Sequence, residues 1–273
     1  MSGRSGSAIP EYVLAWLAQG RDAMKLRQCV FVCKDLEASR EELCDTLGIE
    51  VAYRDPGVAK WGLANVVCPI GHDFLEIVSP TRDGTSAGRY IERRKGDGGY
   101  MVIIQVPDAV ATRQRVTGLG VRAVEQKNTP GYIYTHFHPS DTAGVLLSLD
   151  QTIAPAGTDP KLWWPPAEKD WLKHARSNVT NGLCGVEIQH PDPDAAAVLW
   201  SKILDRPAKG NIIALDDDGE IRFVPVADDR GPGVSAYDVN VVDRDRVIAA
   251  AKKRHKQHGV AQVEVCGCRI NLE

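Results

Sequence analysis

The feature that most constrains this chain is a pattern of residues that recurs four times along its length of 273 residues. Each copy reads as an apolar strand, an aspartate with small or acidic neighbours, and an amphipathic helix that a glycine can end. The aspartates that precede the helices are Asp35, Asp108, Asp192 and Asp243. In the first copy Ser39 is an alternative start of the helix, and Gly48 is its expected end.

Short strand-like runs follow each helix. After the first helix they are IEVAYRD, ANVVCPIG and HDFLEIVSP, and after the second VRAVEQKN, GYIYTHFHPSD and AGVLLSLDQ. The third copy is shorter, which suggests a missing or shrunken strand. One strand, one helix and about three strands describe a βαβββ module of the α+β class, whose helix packs on one face of the sheet. We therefore expect tandem modules, with the C-terminal pair divergent.

The boundaries of the copies predict how the chain divides. Residues 1–24 read as a leading segment with a helix beginning near Pro10, and residues 25–151 as a first domain of two modules. Residues 152–178 are rich in proline, tryptophan and polar residues and are typical of a connector. Residues 179–273 form a divergent second domain. Trp163 and Trp164 are expected to pack between the two halves.

Composition excludes several classes of function. The formal charge of −3 leaves no basic surplus for nucleic acid, and no apolar run approaches the roughly 18 residues of a membrane span. The N-terminus does not resemble an export signal, because charged and polar residues interrupt its apolar part. Seven cysteines, an odd number without a CxxC pair, favour buried thiols in a reducing cytoplasm over disulfides or a metal site.

Four phrases carry a resemblance to a known family: VCKDLEASREELCDTLG, DFLEIVSP, GGYMVIIQVPD and HPSDTAGVLLSLD. They resemble the vicinal oxygen chelate superfamily, which includes glyoxalase I, methylmalonyl-CoA epimerase, extradiol dioxygenases and bleomycin-resistance-like proteins. The resemblance is strong over residues 27–151 and weak over 182–273. It implies that paired modules curl into cup-like mixed sheets with helices outside. It also implies a divalent metal in the cup, held by the first and last strands of each module.

The metal positions implied by the resemblance are only half filled. In the first module they carry Gln28 and Glu76, and strand alternation places each on one face of its strand. Glu76 needs a metal, a basic partner or a proton, since an unpaired buried carboxylate is costly. In the second module the positions carry Met101 and Ser148, which are poor ligands. Any divalent ion (Zn, Ni, Co, Mn or Fe) would thus have a degenerate site, and the metal could be absent.

Aromatic and imidazole groups alternate along GYIYTHFHPSD, so that Tyr132, Tyr134, His136 and His138 can face the same way. Such a wall suits binding and proton transfer of an oxygen-rich substrate. His136 and Tyr134 are the catalytic candidates. His138 is a substrate-binding candidate with a structural alternative, because it precedes a proline at a turn.

The segment between the first two modules carries a cationic cluster that includes Arg93 and Arg94. Both are expected near the mouth of the cup, where Arg93 could bind a carboxylate or phosphate. The alternative is a solvated helix face. In the C-terminal half the aligned ligand positions carry Gly185, Arg222 and Ala236, so we expect a structural partner without a metal site.

Two functions fit these residues. The first is an isomerase or lyase acting on a small carbonyl compound, with Glu76 or His136 as base, Tyr134 orienting an oxygen, and Met101, Ser148, His138 and Arg93 contacting the substrate. The second is a metal-free protein that binds and sequesters a small molecule, and Met101 and Ser148 favour it. A purely structural module explains the inward polar residues least well. Superfamily modules often pair between subunits, so a homodimer is an alternative to pairing within the chain.

Overall fold

The computed structural model describes residues 23–216 and 218–273, and the helix predicted near Pro10 lies outside them. The first half contains β1 (Lys25–Val32), α1 (Leu36–Leu47), β2 (Leu63–Ile70), β3 (Asp73–Pro80), α2 (Ser86–Arg93), β4 (Gly98–Gln105), α3 (Ala109–Gly118), β5 (Ala123–Thr129), β6 (Tyr132–Phe137) and β7 (Leu146–Thr152). The second half contains β8 (Thr180–His190), α4 (Pro193–Leu204), β9 (Ile212–Ala214), β10 (Glu220–Pro225), β11 (Gly233–Val241), α5 (Arg244–Lys253), β12 (Gln262–Val265) and β13 (Cys268–Leu272). None of the described helices is long and apolar enough to span a membrane.

The strands form two open mixed sheets. The first has the order β2-β3-β1-β4-β7-β6-β5, and the second β12-β13-β11-β8-β10-β9. In each sheet two modules join where their first strands pair antiparallel, β1 with β4 and β11 with β8. Within a module the first strand pairs in parallel with the last. The predicted α+β fold of curled sheets with helices outside is confirmed.

The modules differ in the number of strands that follow the helix. The second module has three, β5 to β7, as expected. In the first, the run IEVAYRD contributes only an isolated bridge between Tyr53 and Val67. The third and fourth modules have two each in the described residues, and β9 is three residues long. The expectation of a shortened third copy therefore holds, and the same shortening extends to copies one and four.

The aspartates found in the repeat begin the four module helices. The Asp35 carboxylate accepts a hydrogen bond from the Ala38 backbone N–H at 3.0 Å, so that Asp35 rather than Ser39 is the N-cap. Asp108, Asp192 and Asp243 cap their helices in the same way. Such caps satisfy backbone donors that have no partner within the helix, and each contributes about 1 kcal/mol. At the other end of α1, Gly48 adopts φ of 68° and closes the helix as predicted.

Each strand of the first sheet presents alternate residues to its two faces. One face, with residues such as Phe31, Leu75 and Val102, joins the helices and the second sheet in one continuous hydrophobic cluster. The other face, with Val30, Phe74 and Met101, forms a separate cluster around a concave surface. We call this concave surface the cup. Burial on the first face leaves the cup free to carry polar side chains.

The connector contacts the first half of the chain. Trp164 is 1% exposed and stacks on Phe74 of β3, with ring centroids 6.1 Å apart. The Trp163 indole donates to the Gly131 carbonyl oxygen at 3.4 Å. The expectation that these two tryptophans pack between the halves is therefore wrong. Prolines on both sides of the pair turn the connector back over the cup instead.

Glycine allows one close approach of the backbones of the two halves. Gly71, at φ of 61°, follows β2, and a Cβ there would lie 2.0 Å from the Asn181 backbone oxygen. Gly84 has a similar φ of 72° and open space around it. Alanine at either position is strained, because a residue with a Cβ disfavours the left-handed backbone conformation. Only Gly71→Ala also places a Cβ against the other half and forces the halves apart.

We therefore expect Gly71→Ala to lower the free energy of unfolding by about 1–3 kcal/mol more than Gly84→Ala. Urea denaturation of both variants measures this difference, and Gly84→Ala is the control for backbone strain. Equal losses would show that the contact between Gly71 and Asn181 does not constrain the packing of the halves.

Candidate functional site

Four side chains meet at the centre of the cup. The Gln28 amide nitrogen donates to one oxygen of Glu76 at 2.6 Å, and the Asn65 amide nitrogen donates to the other at 2.7 Å. The Trp164 indole N–H donates to the Gln28 amide oxygen at 2.7 Å. The structure thus brings Gln28 and Glu76 together on the concave side of the sheet.

Strand alternation explains why these groups converge. Gln28 in β1 pairs with Phe74 in β3, two residues before Glu76, and Asn65 in β2 pairs with Val78, two residues after it. Residues two apart on a strand share a face, so all three polar side chains point into the cup. Asn65 was not anticipated from the sequence. The signal available in ANVVCPIG was that Asn65 and Val67 lie on one face of the strand, and Val66 and Cys68 on the other.

Burial sets the ionisation of Glu76. The side chain is 8% exposed, and desolvation raises the pKa of its carboxyl from 4.5 to about 7, even though the two amide donors act to lower it. Within the part of the chain that the structure describes, its hydrogen-bond donors are two neutral amides rather than cations. A carboxyl with this pKa is ionised in roughly half of the molecules at neutral pH, the range in which a general base works well.

The cup encloses a cavity of about 1010 Å³, large enough for a substantial small molecule. Of the residues predicted as site residues, those that line it are Gln28, Glu76, Arg93, Met101, Tyr134, His136 and His138. Ser148 is not among the lining residues, because it is fully buried behind them. We therefore correct the expectation that Ser148 contacts substrate.

Ser148 belongs instead to a second buried acid. Its hydroxyl donates to the carboxylate of Asp150, which also accepts a hydrogen bond from the Tyr132 hydroxyl. Desolvation raises the pKa of Asp150 to about 7, against the lowering effect of these two donors. Asp150 was missed from the sequence, although its spacing of two residues from Ser148 in LLSLDQ places it on the same face. It lies behind Tyr132, which lines the cavity.

The wall formed by β6 carries the predicted aromatic row. The rings of Tyr134 and His136 stack with centroids 4.7 Å apart. Burial lowers the pKa of His136 to about 4, so the imidazole is neutral at pH 7 and a weak base. Burial also raises the pKa of Tyr134 to about 12. His138 lines the cavity, but its Nδ1 accepts the Ser140 backbone N–H at 3.1 Å, the structural role considered from the sequence.

Comparison with known proteins agrees with this architecture. Residues 29–204 match the model of the family described as glyoxalase-like domain. The chain belongs to the glyoxalase-like domain family. This membership confirms the resemblance to the vicinal oxygen chelate superfamily. A triple-substituted form of 4-hydroxymandelate synthase from Streptomyces coelicolor has a similar fold, with a TM-score of 0.62 and 16% identity over 86% of this chain and 76% of that one.

Two curated relatives each resemble about half of this glyoxalase-like protein. Ethylmalonyl-CoA/methylmalonyl-CoA epimerase from Cereibacter sphaeroides is 26% identical over 132 residues, which cover 46% of this chain and 97% of the relative. The mitochondrial methylmalonyl-CoA epimerase from Bos taurus is 24% identical over 130 residues, 46% of this chain and 74% of the relative.

The donor set of the cup does not fit a resident divalent ion. The Gln28 oxygen is occupied by the Trp164 indole, and both Glu76 oxygens are occupied by amide donors. Met101 pairs with Leu146, two residues before Ser148, just as Gln28 pairs with Phe74, two residues before Glu76. Met101 and Ser148 therefore occupy in the second module the positions that Gln28 and Glu76 occupy in the first. Within residues 23–216 and 218–273, no three His, Cys, Asp or Glu side chains are grouped as a metal site. Thioether, hydroxyl and a single carboxylate leave an ion with too few strong ligands.

Cations outnumber anions among the residues that line the cavity of this glyoxalase-like protein. Its charged lining residues are Lys60, Arg82, Arg89, Arg93 and Lys127 against Asp55, Glu125 and Glu76. Arg94, which we expected beside Arg93 at the mouth, is instead 2% exposed. Its guanidinium donates to backbone carbonyls between Arg230 and Val234 in the second half. Arg94 is the C-cap residue that follows Arg93 at the end of α2, and adjacent residues around a helix point in different directions.

The equivalent face of the second sheet is filled by ion pairs. Arg222 binds the buried carboxylate of Asp238 with both terminal nitrogens, at 2.5 and 2.9 Å. A Cβ at Gly185 would lie 2.0 Å from the same carboxylate. Arg269 pairs with Glu187 at 2.6 Å on that face. These pairs occupy the positions where the first sheet has its cup.

Proposed function

We propose that this glyoxalase-like protein is an isomerase or lyase that removes a proton from a carbon beside a carbonyl group of a small anionic molecule. One observation carries the proposal: the Glu76 carboxyl lies on the wall of a large cavity, accepts hydrogen bonds from two amides, and has a pKa of about 7. Such a group is basic enough to take a proton and acidic enough to return it at neutral pH.

The side chains around Glu76 have separable roles in this proposal. Gln28 and Asn65 orient the carboxylate through their amide donors, and Trp164 holds the Gln28 amide in turn. Tyr134 and His136 lie on β6, on the far side of the β1–β4 pair from β3. Their O–H and N–H groups would donate to the substrate oxygen that gains negative charge when the proton leaves. His136 suits this role as a neutral donor, and its low pKa favours Glu76 over His136 as the base.

The cationic lining indicates the charge of the substrate. Arg89 and Arg93 are four residues apart on α2, so that they share one face of the helix. Both line the cavity, where their guanidinium groups suit a carboxylate or phosphate. The names of the two relatives agree with this chemistry, because methylmalonyl-CoA carries a carboxylate and phosphates, and epimerisation of its acidic carbon requires that a proton leaves and returns.

Exchange of substrate protons with solvent deuterium tests the proposal. We expect the protein to catalyse exchange at the acidic carbon of carboxylated acyl thioesters such as methylmalonyl-CoA, and much less of propionyl-CoA, which lacks the carboxylate. The kcat/KM value should rise with pH through about 7, since ionisation of Glu76 produces the base. NMR or mass spectrometry measures the exchange. Tight binding of such a compound without any exchange would contradict the proposal.

That contrary outcome would favour the second function, a metal-free binding protein. The observation in its favour is that Gln28, Asn65, Glu76 and Trp164 satisfy one another without a ligand. An aromatic, largely preformed cavity is also what a sequestering protein needs. Calorimetry with the same compounds, at pH 8 where exchange should be fastest, separates binding from catalysis.

Metal content gives an independent prediction. Because the donor set is incomplete, we expect protein purified without chelator or affinity tag to contain far less than one divalent ion per chain, and EDTA to leave the exchange rate unchanged. Elemental analysis of the wild type and of Glu76→Gln measures this. A stoichiometric ion in the wild type that is lost in the variant would show that Gln28 and Glu76 rearrange into ligands.

A further inference from the structure

Two thiols face each other on the side of the first sheet opposite the cup. Cys44 lies on α1 and Cys68 on β2, and their sulfur atoms are 4.0 Å apart. Cys44 is partly exposed and lines a surface cleft of about 460 Å³ with Arg40 and Arg54, whereas Cys68 is fully buried behind it. One thiol of the pair is therefore open to solutes and the other is within its reach.

We propose that Cys44 is a site of oxidation by hydroperoxides and that Cys68 resolves the oxidised sulfur to a disulfide. In the first step the Cys44 thiolate attacks a peroxide oxygen, the O–O bond breaks, and an alkoxide or hydroxide leaves as Cys44 becomes a sulfenic acid. In the second step the Cys68 sulfur attacks the sulfenic sulfur. The S–O bond breaks, and the oxygen leaves as water with the proton of Cys68.

The surroundings of Cys44 favour the first step. Contact with the Cys68 thiol lowers the pKa of Cys44, burial opposes this, and the positive charge of Arg40 lowers it while the Asp45 and Glu50 carboxylates raise it. The net direction is a lowered pKa, which makes the reactive thiolate more populated. Glu37 accepts hydrogen bonds from Arg40 and Arg54 and holds both guanidinium groups beside the cleft. The contact with Cys44 and burial raise the pKa of Cys68 well above its usual value. The exposed sulfur is thus the nucleophile and the buried one the resolving thiol.

The other cysteines of the chain supply internal controls. Cys33 and Cys266 also interact through their thiols but are both buried, so peroxide cannot reach them. Cys184 is partly exposed, as Cys44 is, but burial raises its pKa to about 12. If proximity of two thiols were sufficient, Cys33 and Cys266 would react, and if exposure were sufficient, Cys184 would react. The proposal requires both properties and selects Cys44 with Cys68.

Peptide mapping after brief treatment of the full chain with hydrogen peroxide tests this inference. Trypsin would release residues 41–54 and 61–82, each with a single cysteine, so a disulfide between them is identified by its mass. We expect this disulfide to form at least about 10-fold faster than any modification of Cys184, Cys33 or Cys266. Reductant should reverse it.

Two variants separate the steps. In Cys68→Ser, Cys44 should accumulate as a sulfenic acid that dimedone traps. In Cys44→Ser, no disulfide can form at Cys68, and the Cys68 thiol should stay reduced. Circular dichroism confirms that each variant is folded. Oxidation of Cys44 to a sulfinic acid while Cys68 stays reduced in the wild type, or oxidation of Cys184 at the same rate as Cys44, would overturn the proposal.

Discussion

Replacing Glu76 with glutamine is expected to reduce the rate of substrate proton exchange by about 10²–10⁴-fold, the range typical of a lost general base. The amide keeps the size of the side chain, so the cavity should still bind the substrate with a similar dissociation constant. The loss should therefore fall on kcat rather than on binding. Exchange rates at saturating substrate, together with calorimetric binding of the same compound, measure the two effects separately.

Glu41→Gln is the matched control, because Glu41 is an exposed glutamate on α1 outside the cup. It should retain full exchange activity. If Glu76→Gln exchanged protons within a few-fold of the wild-type rate, the base would have to be another group.

The substitution Glu76→Gln should also change how the free energy of unfolding depends on pH. The folded state raises the pKa of Glu76 from 4.5 to about 7, so it binds the proton more tightly than the unfolded chain does. This contribution to stability is fully present below pH 4.5 and is lost as the pH rises through 7. We expect the stability of the wild type, relative to Glu76→Gln, to decrease between pH 5 and 8. The comparison between variants removes the parallel contribution of Asp150.

Trp164→Ala is expected to have the largest effect on stability, about 3–5 kcal/mol of unfolding free energy. The side chain is 1% exposed and contacts Phe74 and Tyr132 in the cup. Its removal leaves a cavity and also deprives the Gln28 oxygen of its donor. Urea denaturation measures the loss, and the exchange assay should show a lower rate because Gln28 no longer orients Glu76.

Trp163→Ala is the neighbouring control. Trp163 is partly exposed, and its indole makes a long hydrogen bond of 3.4 Å to Gly131. It should therefore lose much less stability and leave exchange nearly unchanged. Equal losses in the two variants would contradict the view that Trp164 in particular completes the cup.

The sequence predicted the features that depend on local periodicity. The four aspartates were identified as helix starts, because a capping side chain bonds to backbone groups only two or three residues away. Gln28 and Glu76 could be assigned to faces of their strands because alternation is set by the backbone itself. The α+β class followed from the same local patterns, repeated.

The tertiary structure decided which of these faces carry chemistry together. Trp164 is 136 residues from Gln28, and Arg94 is 136 residues from the carbonyl of Arg230, which it binds. Cys44 and Cys68 are brought together by the packing of α1 on β2. Such contacts depend on how whole elements pack. Neither the periodicity of the sequence nor the spacing of residues along the chain predicts which distant side chains meet. The sequence by itself thus determined the modules and the direction of their side chains, whereas packing of the connector and the second half determined how the cup is closed and where its polar groups find partners.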